Sequence, residues 1–300
     1  RVFNLIERNS FMISKDFRVA ILVTGQSRTY KACLKNIRNF FGNSKTEDGT
    51  RWVKVDYYLH TWTTNQWTDK GSDKLVLQSI PYEQANLDID FIKSSLSYEG
   101  HSSIANIDIE KYNPTHIHNF WGPGLYSTYK ANLAKVKNEY QEGIVYDAVI
   151  KVRFDQIFDP RFKFRYHNYI RSLDNRFIYT NSVTSRMQNE LNSFNLDDVW
   201  FFSDSPTMNM IVQTYNYIGQ SIGRPEHKKS RENPKYYPES LLGPGCLINR
   251  FSNRINIHGT KSGDGNSNYV IVRRQSLTQG LDPEQDYDEI VKQSLTYYSK

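Results

Sequence analysis

Three charged side chains fall at every second position of the stretch YDAVIKVRFDQIF, residues 146–158: Lys151, Arg153 and Asp155. Side chains alternate between the two faces of a strand, so a strand here would carry all three on one face. Because buried charges need partners, one interpretation is an ion pair between Arg153 and Asp155, or with another strand. The other is a strand tip where Asp155 holds Mn²⁺ or Mg²⁺ against a diphosphate while Arg153 and Lys151 add positive charge. The position at the carboxyl end of the strand favours the second interpretation.

The stretch TGQSR, residues 24–28, directly follows the apolar run RVAILV and offers a second group of binding residues. Gly25 permits close approach to the backbone, Arg28 can grip phosphate or carboxylate in a fork, and Gln26 lies between them. In open α/β sheets ligands bind beyond the carboxyl ends of the strands, so a ligand contact is expected here. Neither a GxGxxG motif nor a P-loop is present, which disfavours those modes of nucleotide binding. The alternative is a plain turn with Arg28 on the surface.

A third group lies in DYYLHTW, at the end of a second apolar run. Trp62 can stack on a base or a sugar, and His60 can hydrogen-bond to either. Both would lie at the same carboxyl edge of the predicted sheet as Arg28. The alternative is a satisfied core histidine beside a packing tryptophan, and for each residue taken singly this alternative is favoured.

Isolated acids and histidines provide weaker candidates. Asp198 can act as a general base towards a hydroxyl group, and Glu239 can contact an acceptor, although both positions also suit helix caps or helix starts. His258 is expected to complete a metal site. His116 and His118 alternate as in a strand, but no acid or cysteine lies at a recognised spacing, so a structural role is predicted.

Apolar periodicity predicts the elements that position these residues. Strands are expected over 18–25, 53–62, 146–158, 176–181, 197–205, 255–259 and 269–274, and helices over 29–41, 83–95, 124–143, 206–222 and from 238. The first 62 residues form a β-α-β unit, which indicates an α/β fold with parallel strands. The region 63–123 is otherwise predicted to be polar and irregular. We expect a single domain over 18–300, after an N-terminal extension over 1–17 that is partly derived from an expression tag.

Composition narrows the classes of partner. The 300 residues carry 38 basic and 32 acidic side chains, so the net charge of +6 mildly favours an anionic ligand. The basic stretch at 227–235 contains a glutamate and resembles a solvated loop, so no nucleic-acid partner is expected. Two cysteines, Cys33 and Cys246, provide neither a disulfide framework nor a zinc cluster. No apolar run is long enough for a membrane span, and a cytoplasmic protein is expected.

The order of these stretches carries a family resemblance. VAILVTGQSRTY, VDYYLHTW, the helix leading into YDAVIKVRFD, LDDVWFFSDSPTMNMIVQTY and YPESLLGPGCLI resemble bacterial and viral GT-A-like glycosyltransferases of surface-polysaccharide synthesis, the WavE-like group. The resemblance covers most of residues 18–275. It implies a GT-A-like (Rossmann-like) domain with a mostly parallel central sheet, flanked by helices and irregular insertions.

The resemblance also implies a chemistry: a sugar moves from a nucleotide-sugar donor to a hydroxyl group of a glycan acceptor. GT-A enzymes hold Mn²⁺ or Mg²⁺ with an Asp-x-Asp motif, and here Arg153 stands at the place of the first acid while Asp155 matches the second. The implied donor site comprises Gly25, Gln26, Arg28, His60, Trp62, Lys151, Arg153 and Asp155. Asp198 would be the catalytic base, Glu239 an acceptor contact, and Asp155 with His258 the metal ligands. The alternatives are a non-catalytic carbohydrate-binding protein and, with less support, a nucleic-acid-binding protein.

Overall fold

A computed structural model describes residues 17–42, 54–65, 83–98, 101–111, 122–173, 178–180, 200–213, 215, 255–257, 269–271, 288–289 and 291–293. In chain order the strands are β1 Arg18–Thr24, β2 Lys54–Trp62, β3 Thr64–Asn65, β4 Glu83–Gln84, β5 Ser102–Glu110, β6 Ala148–Arg153, β7 Gln156–Phe158, β8 Ile178–Thr180, β9 Phe201–Ser203, β10 Ile255–Ile257 and β11 Tyr269–Ile271. The α-helices of the same part of the chain are α1 Tyr30–Ile37, α2 Ile89–Leu96, α3 Gly122–Glu142, α4 Lys163–Arg171 and α5 Ser205–Val212.

Within this part of the chain, the central sheet has the strand order β10-β8-β9-β6-β1-β2-β5. β6, β1, β2 and β5 are mutually parallel, and β9 pairs antiparallel with both β6 and β8. β10 pairs in parallel with β8, so all strands of this sheet except β9 run in one direction. The predicted α/β class with a mostly parallel sheet is confirmed, and the architecture is compatible with a Rossmann-like fold.

Helices cover both faces of the sheet, because the side chains of each buried strand alternate between two apolar clusters. One cluster joins Val19, Ile21 and Val23 of β1 to α1, α2 and α4. The other joins Ala20 and Leu22 to α3 and α5. Strands buried on both faces read as continuous apolar runs, which is why RVAILV is recognisable in the sequence. No helix in the described ranges combines the length and the apolar character needed to cross a membrane.

The helix ends carry the residue types that favour those positions. Asp88 begins α2 by accepting a hydrogen bond from the backbone of Phe91 at 2.9 Å, and Asp204 does the same for α5 with Thr207 at 3.0 Å. Gly143, with φ of 63°, follows the last turn of α3, in the conformation that glycine adopts most readily. The predicted helix over 124–143 is confirmed within two residues, whereas the one predicted over 83–95 begins only at Ile89.

Two sequence predictions about strands are wrong. The segment 63–123 is not simply irregular, since it contains the nine-residue strand β5, which pairs in parallel with β2. The strand predicted over 146–158 is broken: β6 ends at Arg153, and Phe154 and Asp155 form a turn before β7. β7 is held beside α1 by Asn36, whose side-chain amide exchanges two hydrogen bonds with the backbone of Phe158, at 2.7 and 3.0 Å.

Candidate functional site

Side chains from four neighbouring parallel strands meet at the carboxyl edge of the sheet, which we call the rim. The register aligns Arg153 of β6 with Thr24 of β1, Thr24 with His60 of β2, and His60 with Asp108 of β5. From β1 the chain builds outward to β2 and β5, then returns to place β6 on the other side of β1. The order of strands thus reverses between β1 and β6. In open α/β sheets, the crevice outside such a reversal is the usual ligand site.

An arginine-rich cluster lies at this reversal. Arg153 donates hydrogen bonds from Nε and Nη2 to the two carboxylate oxygens of Asp155, both at 2.7 Å. Arg28 donates from Nη1 to the same carboxylate at 3.3 Å and from Nε to Gln26 Oε1 at 2.9 Å. The Asp155 side chain is buried, while those of Arg28 and Arg153 are 15% and 26% exposed. Two guanidinium groups against one carboxylate leave the cluster with net positive charge facing the rim.

The electrostatics of the arginine-rich cluster fix its protonation states. Burial alone would raise the pKa of Asp155, but Arg153 and Arg28 outweigh burial and hold that pKa below its usual value. The backbone of Arg28 has a φ of 28°, in the left-handed region that residues other than glycine rarely adopt. Such strain persists only where surrounding contacts impose it, and it clusters at ligand sites. Here, the side-chain bonds of Arg28 to Gln26 and Asp155 hold it in place.

Ser127 of α3 connects β1 to β2 at the same edge. Its Oγ accepts a hydrogen bond from Gly25 N at 2.7 Å, donates to the carbonyl of His60 at 2.9 Å, and lies 2.9 Å from His60 Nδ1. Gly25 has a φ of 101°, and a β-carbon built on it would meet no atom within 4 Å. The end of β1 therefore combines a glycine conformation with open space, as close approach of a ligand requires.

A second charged cluster lies at the ends of β2 and β5. His60 Nε2 is 3.8 Å from Glu110 Oε1, and Lys130 of α3 lies 2.5 Å from the same oxygen and 3.5 Å from Asp108 Oδ2. Tyr126 donates to Glu110 Oε2 at 2.8 Å. Ligand atoms from His60, Asp108 and Glu110 all lie within 4.8 Å of one another, so this group could hold a metal ion.

The pKa shifts in this second charged cluster follow from burial and pairing. Burial lowers the pKa of His60 to about 4, with opposing contributions from Asp108 and Glu110, so its imidazole is neutral at pH 7. Burial alone would raise the pKa of Glu110, but hydrogen bonds from Lys130 and Tyr126 hold it below its usual value. The hydrogen bond to Glu110 raises the pKa of Lys130. The cluster therefore contains a neutral imidazole, two carboxylates and an ammonium group.

Aromatic rings pack around this cluster. Trp62 stacks on Tyr126 with centroids 5.5 Å apart and meets His60 edge-on at 4.9 Å, and Tyr126 meets Tyr215 edge-on at 5.2 Å. Trp62 and His60 are buried. The packing interpretation of Trp62 therefore describes this residue better than stacking on a base or a sugar.

The residues predicted from sequence fall into four groups. Gly25, Gln26, Arg28, Arg153 and Asp155 come together at the reversal between β1 and β6. His60 and Trp62 belong to the neighbouring cluster, and Lys151 is buried two residues before the rim, in register with Leu22 and Phe201. Three predictions, for Asp198, Glu239 and His258, lie outside the described residues, as do His116 and His118.

The contacts of Asp155 argue against its predicted role as a metal ligand. Both of its oxygens accept hydrogen bonds from arginine, and the carboxylate is buried between two guanidinium groups. A divalent cation at this carboxylate would stand against two positive charges within hydrogen-bond distance of its ligand, which disfavours binding. The alternative interpretation from sequence, an ion pair between Arg153 and Asp155, is confirmed.

Four polar residues of the rim were missed from sequence: Ser127, Lys130, Asp108 and Glu110. For the two acids a signal was present, because NIDIE at 106–110 alternates polar and apolar residues as a half-buried strand does. For Ser127 and Lys130 no local signal distinguishes them from other polar residues of a long helix. Their role depends on α3 lying across the ends of β1 and β2.

Neither a protein-family model nor a curated protein sequence matches this chain.

Proposed function

We propose that this protein is a glycosyltransferase that moves a sugar from a nucleotide-sugar donor to a hydroxyl group of a glycan acceptor. The observation that carries the proposal is the pair of arginines, Arg28 and Arg153, at the point where the strand order reverses. A nucleotide-sugar presents a diphosphate, and planar guanidinium groups bind phosphate oxygens in a bidentate fork. The family resemblance of the sequence supplies the sugar chemistry, and the arginine-rich cluster supplies a matching anion site.

The arginine-rich cluster suits a leaving diphosphate for a further reason. Asp155 is buried and holds both guanidinium groups in place before any ligand binds, so little reorganisation accompanies binding. Gly25 beside them leaves space for the donor to approach the backbone of β1. In this proposal the guanidinium pair, and not Mn²⁺ or Mg²⁺ at Asp155, neutralises the negative charge that develops on the diphosphate.

The reaction breaks the bond between the anomeric carbon and the diphosphate oxygen and forms a bond from that carbon to the acceptor oxygen. The diphosphate leaves with the bonding electron pair, stabilised by Arg28 and Arg153. In an inverting reaction, Asp198 takes the proton of the acceptor hydroxyl group. Glu239 is proposed to contact the acceptor.

Calorimetric titration of the full chain with UDP, GDP, CDP and ADP tests the donor site. We expect one of these nucleotides to bind, and its affinity to fall about 10- to 100-fold in Arg28→Gln and in Arg153→Gln, since a hydrogen bond to a charged group contributes roughly 1.5–3 kcal/mol. Arg161→Gln is the matched control: it removes the same charge from another arginine–aspartate pair, whose guanidinium is 82% exposed and lies outside the rim. The nucleotide-sugar of the selected base, mixed with glycan acceptors, then tests transfer directly.

Three results would contradict the proposal. Failure of the folded wild-type protein to bind any nucleoside diphosphate would exclude the donor site, and binding of glycans alone would point to a non-catalytic carbohydrate-binding protein. An equal loss of affinity in Arg161→Gln would show that net charge, and not the arginine-rich cluster, governs binding.

A further inference from the structure

The imidazole of His60 is held in one tautomer by Ser127. The Ser127 hydroxyl group has a single proton, which it donates to the His60 carbonyl, a group that can only accept. Towards His60 Nδ1, 2.9 Å away, the same Oγ must therefore act as acceptor, so Nδ1 carries the proton. This leaves Nε2 deprotonated, with its lone pair available.

His60 Nε2 is buried and has no hydrogen-bond partner among the described residues. It is directed at Glu110, whose Oε1 lies 3.8 Å away. Both atoms are acceptors, so neither satisfies the other, and a buried acceptor without a partner is unfavourable. A cation between them resolves this conflict, because it accepts electron density from both atoms at once.

The surroundings of His60 Nε2 also attract a cation. Asp108 and Glu110 place two carboxylates beside it, and the only positive charge described in contact with both is the ammonium group of Lys130. With side chains 35%, 26% and 29% exposed, Asp108, Glu110 and Lys130 form the solvent side of the cluster. An ion can therefore enter from solvent and replace the ammonium group, which swings outward on its flexible stem.

We propose that His60 Nε2, Asp108 and Glu110 bind a divalent transition-metal ion, such as Zn²⁺ or Mn²⁺, with displacement of Lys130. An imidazole with two carboxylates suits these ions better than Mg²⁺ or Ca²⁺, which prefer oxygen ligands alone. The three ligand atoms lie within 4.8 Å of one another. A small movement of the two partly exposed acids therefore allows all three atoms to lie at roughly 2.0–2.2 Å from one zinc ion, the distance that zinc requires. Ser127 acts as the outer partner that fixes the imidazole of a metal-binding histidine.

This site is separate from the arginine-rich cluster and does not depend on the proposed glycosyl transfer. It lies at the ends of β2 and β5, whereas the diphosphate is assigned to the ends of β1 and β6. A nucleotide Kd measured in the presence of EDTA therefore tests the donor site alone, and metal binding without nucleotide tests this one.

Equilibrium dialysis of the EDTA-treated protein against Mn²⁺, and separately against Zn²⁺, provides the test. We expect saturable binding by the wild type and a loss of affinity of roughly 100-fold or more in Asp108→Asn and in Glu110→Gln, since the loss of an outer partner alone weakens binding about 10- to 100-fold. Both substitutions preserve side-chain size at partly exposed positions. Glu142→Gln, at an exposed position on the last turn of α3, is the matched control and should bind as the wild type does.

Two further variants separate metal binding from a permanent ion pair with lysine. Lys130→Met removes the competing ammonium group and should tighten metal binding, whereas Ser127→Ala should weaken it about 10- to 100-fold by releasing the tautomer of His60. Absence of saturable binding by the wild type would overturn the proposal. So would binding by Lys130→Met alone, which would make Lys130 the permanent cation, or wild-type binding that both acid substitutions leave unchanged.

Discussion

At the scale of single residues, Asp155 is the residue on which the arginine-rich cluster depends. A carboxylate buried at a strand end is unfavourable unless charged partners compensate for its lost hydration. Arg153 supplies two hydrogen bonds in a fork, and Arg28 supplies a third. In return, Asp155 fixes the orientation of both guanidinium groups, which would otherwise repel one another. Its role is therefore to position the arginines.

Replacement of Asp155 by asparagine should lower the free energy of unfolding by about 1–3 kcal/mol, because two guanidinium groups lose their shared charged acceptor. This loss of free energy is smaller than for a fully buried ion pair, since Arg28 and Arg153 are partly hydrated. Urea unfolding of wild type and variant measures the difference. Asp159→Asn is the control: Asp159 pairs with the exposed Arg161 and caps a short helix, a role asparagine retains.

A loss in Asp155→Asn no larger than that in Asp159→Asn would contradict this prediction. It would mean that the two arginines find equivalent partners elsewhere, and that Asp155 does not organise the rim.

Some residues of the rim could be predicted from sequence because a local pattern marks them, whereas others depend on contacts between distant positions. Gly25, Arg28 and Arg153 were predicted because each ends or follows an apolar run, a local property. The mutual contact of Arg153 with Asp155 was one of two interpretations, and the turn at Phe154 and Asp155 that decides between them contains no glycine, proline or asparagine to mark it. Ser127 was missed because its partners, Gly25 and His60, are 102 and 67 positions away in the chain.

At the scale of elements, α3 joins the rim to the core. Near its first turns it carries Ser127 and Lys130, which contact the ends of β1, β2 and β5. Two turns further on, it carries a buried ionic network that fastens it to α5. There, Lys135 Nζ contacts Glu139 Oε2 at 3.1 Å and donates to Ser205 and, at 2.9 Å, to Asn209. α3 is thus held both near its first turns and two turns further on, which fixes the position of Ser127.

We expect Lys135→Met to lower the free energy of unfolding by about 3–5 kcal/mol, because it leaves Glu139 buried without its cation. The Lys135 side chain is fully buried, so water cannot replace the lost partner. Thermal and urea unfolding measure the change. In the double variant Lys135→Met/Glu139→Gln the uncompensated charge is gone, and a substantial part of the stability should return.

Equal instability of the single and double variants would contradict this account. The effect would then come from lost packing of the long lysine side chain and not from an isolated buried charge.

Strand β5 shows why one element of the sheet was missed. Its sequence, SSIANIDIE, alternates only in its second half, and the register with β2 shifts between Tyr57 and Tyr58. Most of its side chains are partly exposed, because β5 lies at the edge of the described sheet. An edge strand buries few side chains, so its apolar pattern is weak. β1, β2 and β6 are buried on both faces and could be predicted.

At the scale of the whole molecule, the order of strands creates the site. The early β-α-β unit was predictable, and with it the neighbouring positions of β1 and β2. The return of the chain to place β6 beside β1, and the antiparallel direction of β9, depend on pairing between distant segments. Local periodicity does not encode that pairing. The charged rim exists only because β2 and β5 lie on one side of β1 and β6 lies on the other.

Two buried histidines make the stability of the molecule depend on pH. His167 Nε2 contacts the carbonyl of Phe40 at 2.7 Å, and burial lowers the pKa of His167 from 6.5 to about 4. His60 is lowered to about the same value, also by burial. Between pH 6.5 and 4 the unfolded chain binds protons at these positions and the folded chain does not. The free energy of unfolding therefore falls as pH falls through this window, and the contribution levels off below pH 4.

His167 alone should contribute a loss of about 3 kcal/mol across that window, since each unit of pKa difference corresponds to about 1.4 kcal/mol. Urea unfolding at steps from pH 7.5 to 4, with EDTA present to keep His60 free of metal, measures the slope. His167→Gln retains a donor for the Phe40 carbonyl and removes the titration, so its slope should be shallower by that amount. His101→Gln, at a half-buried position before β5, controls for the loss of a histidine as such. Parallel profiles for wild type and His167→Gln would mean that His167 becomes protonated without unfolding, and that its burial is relieved by a local opening of α4 against the π-helical turn at Arg38–Gly42.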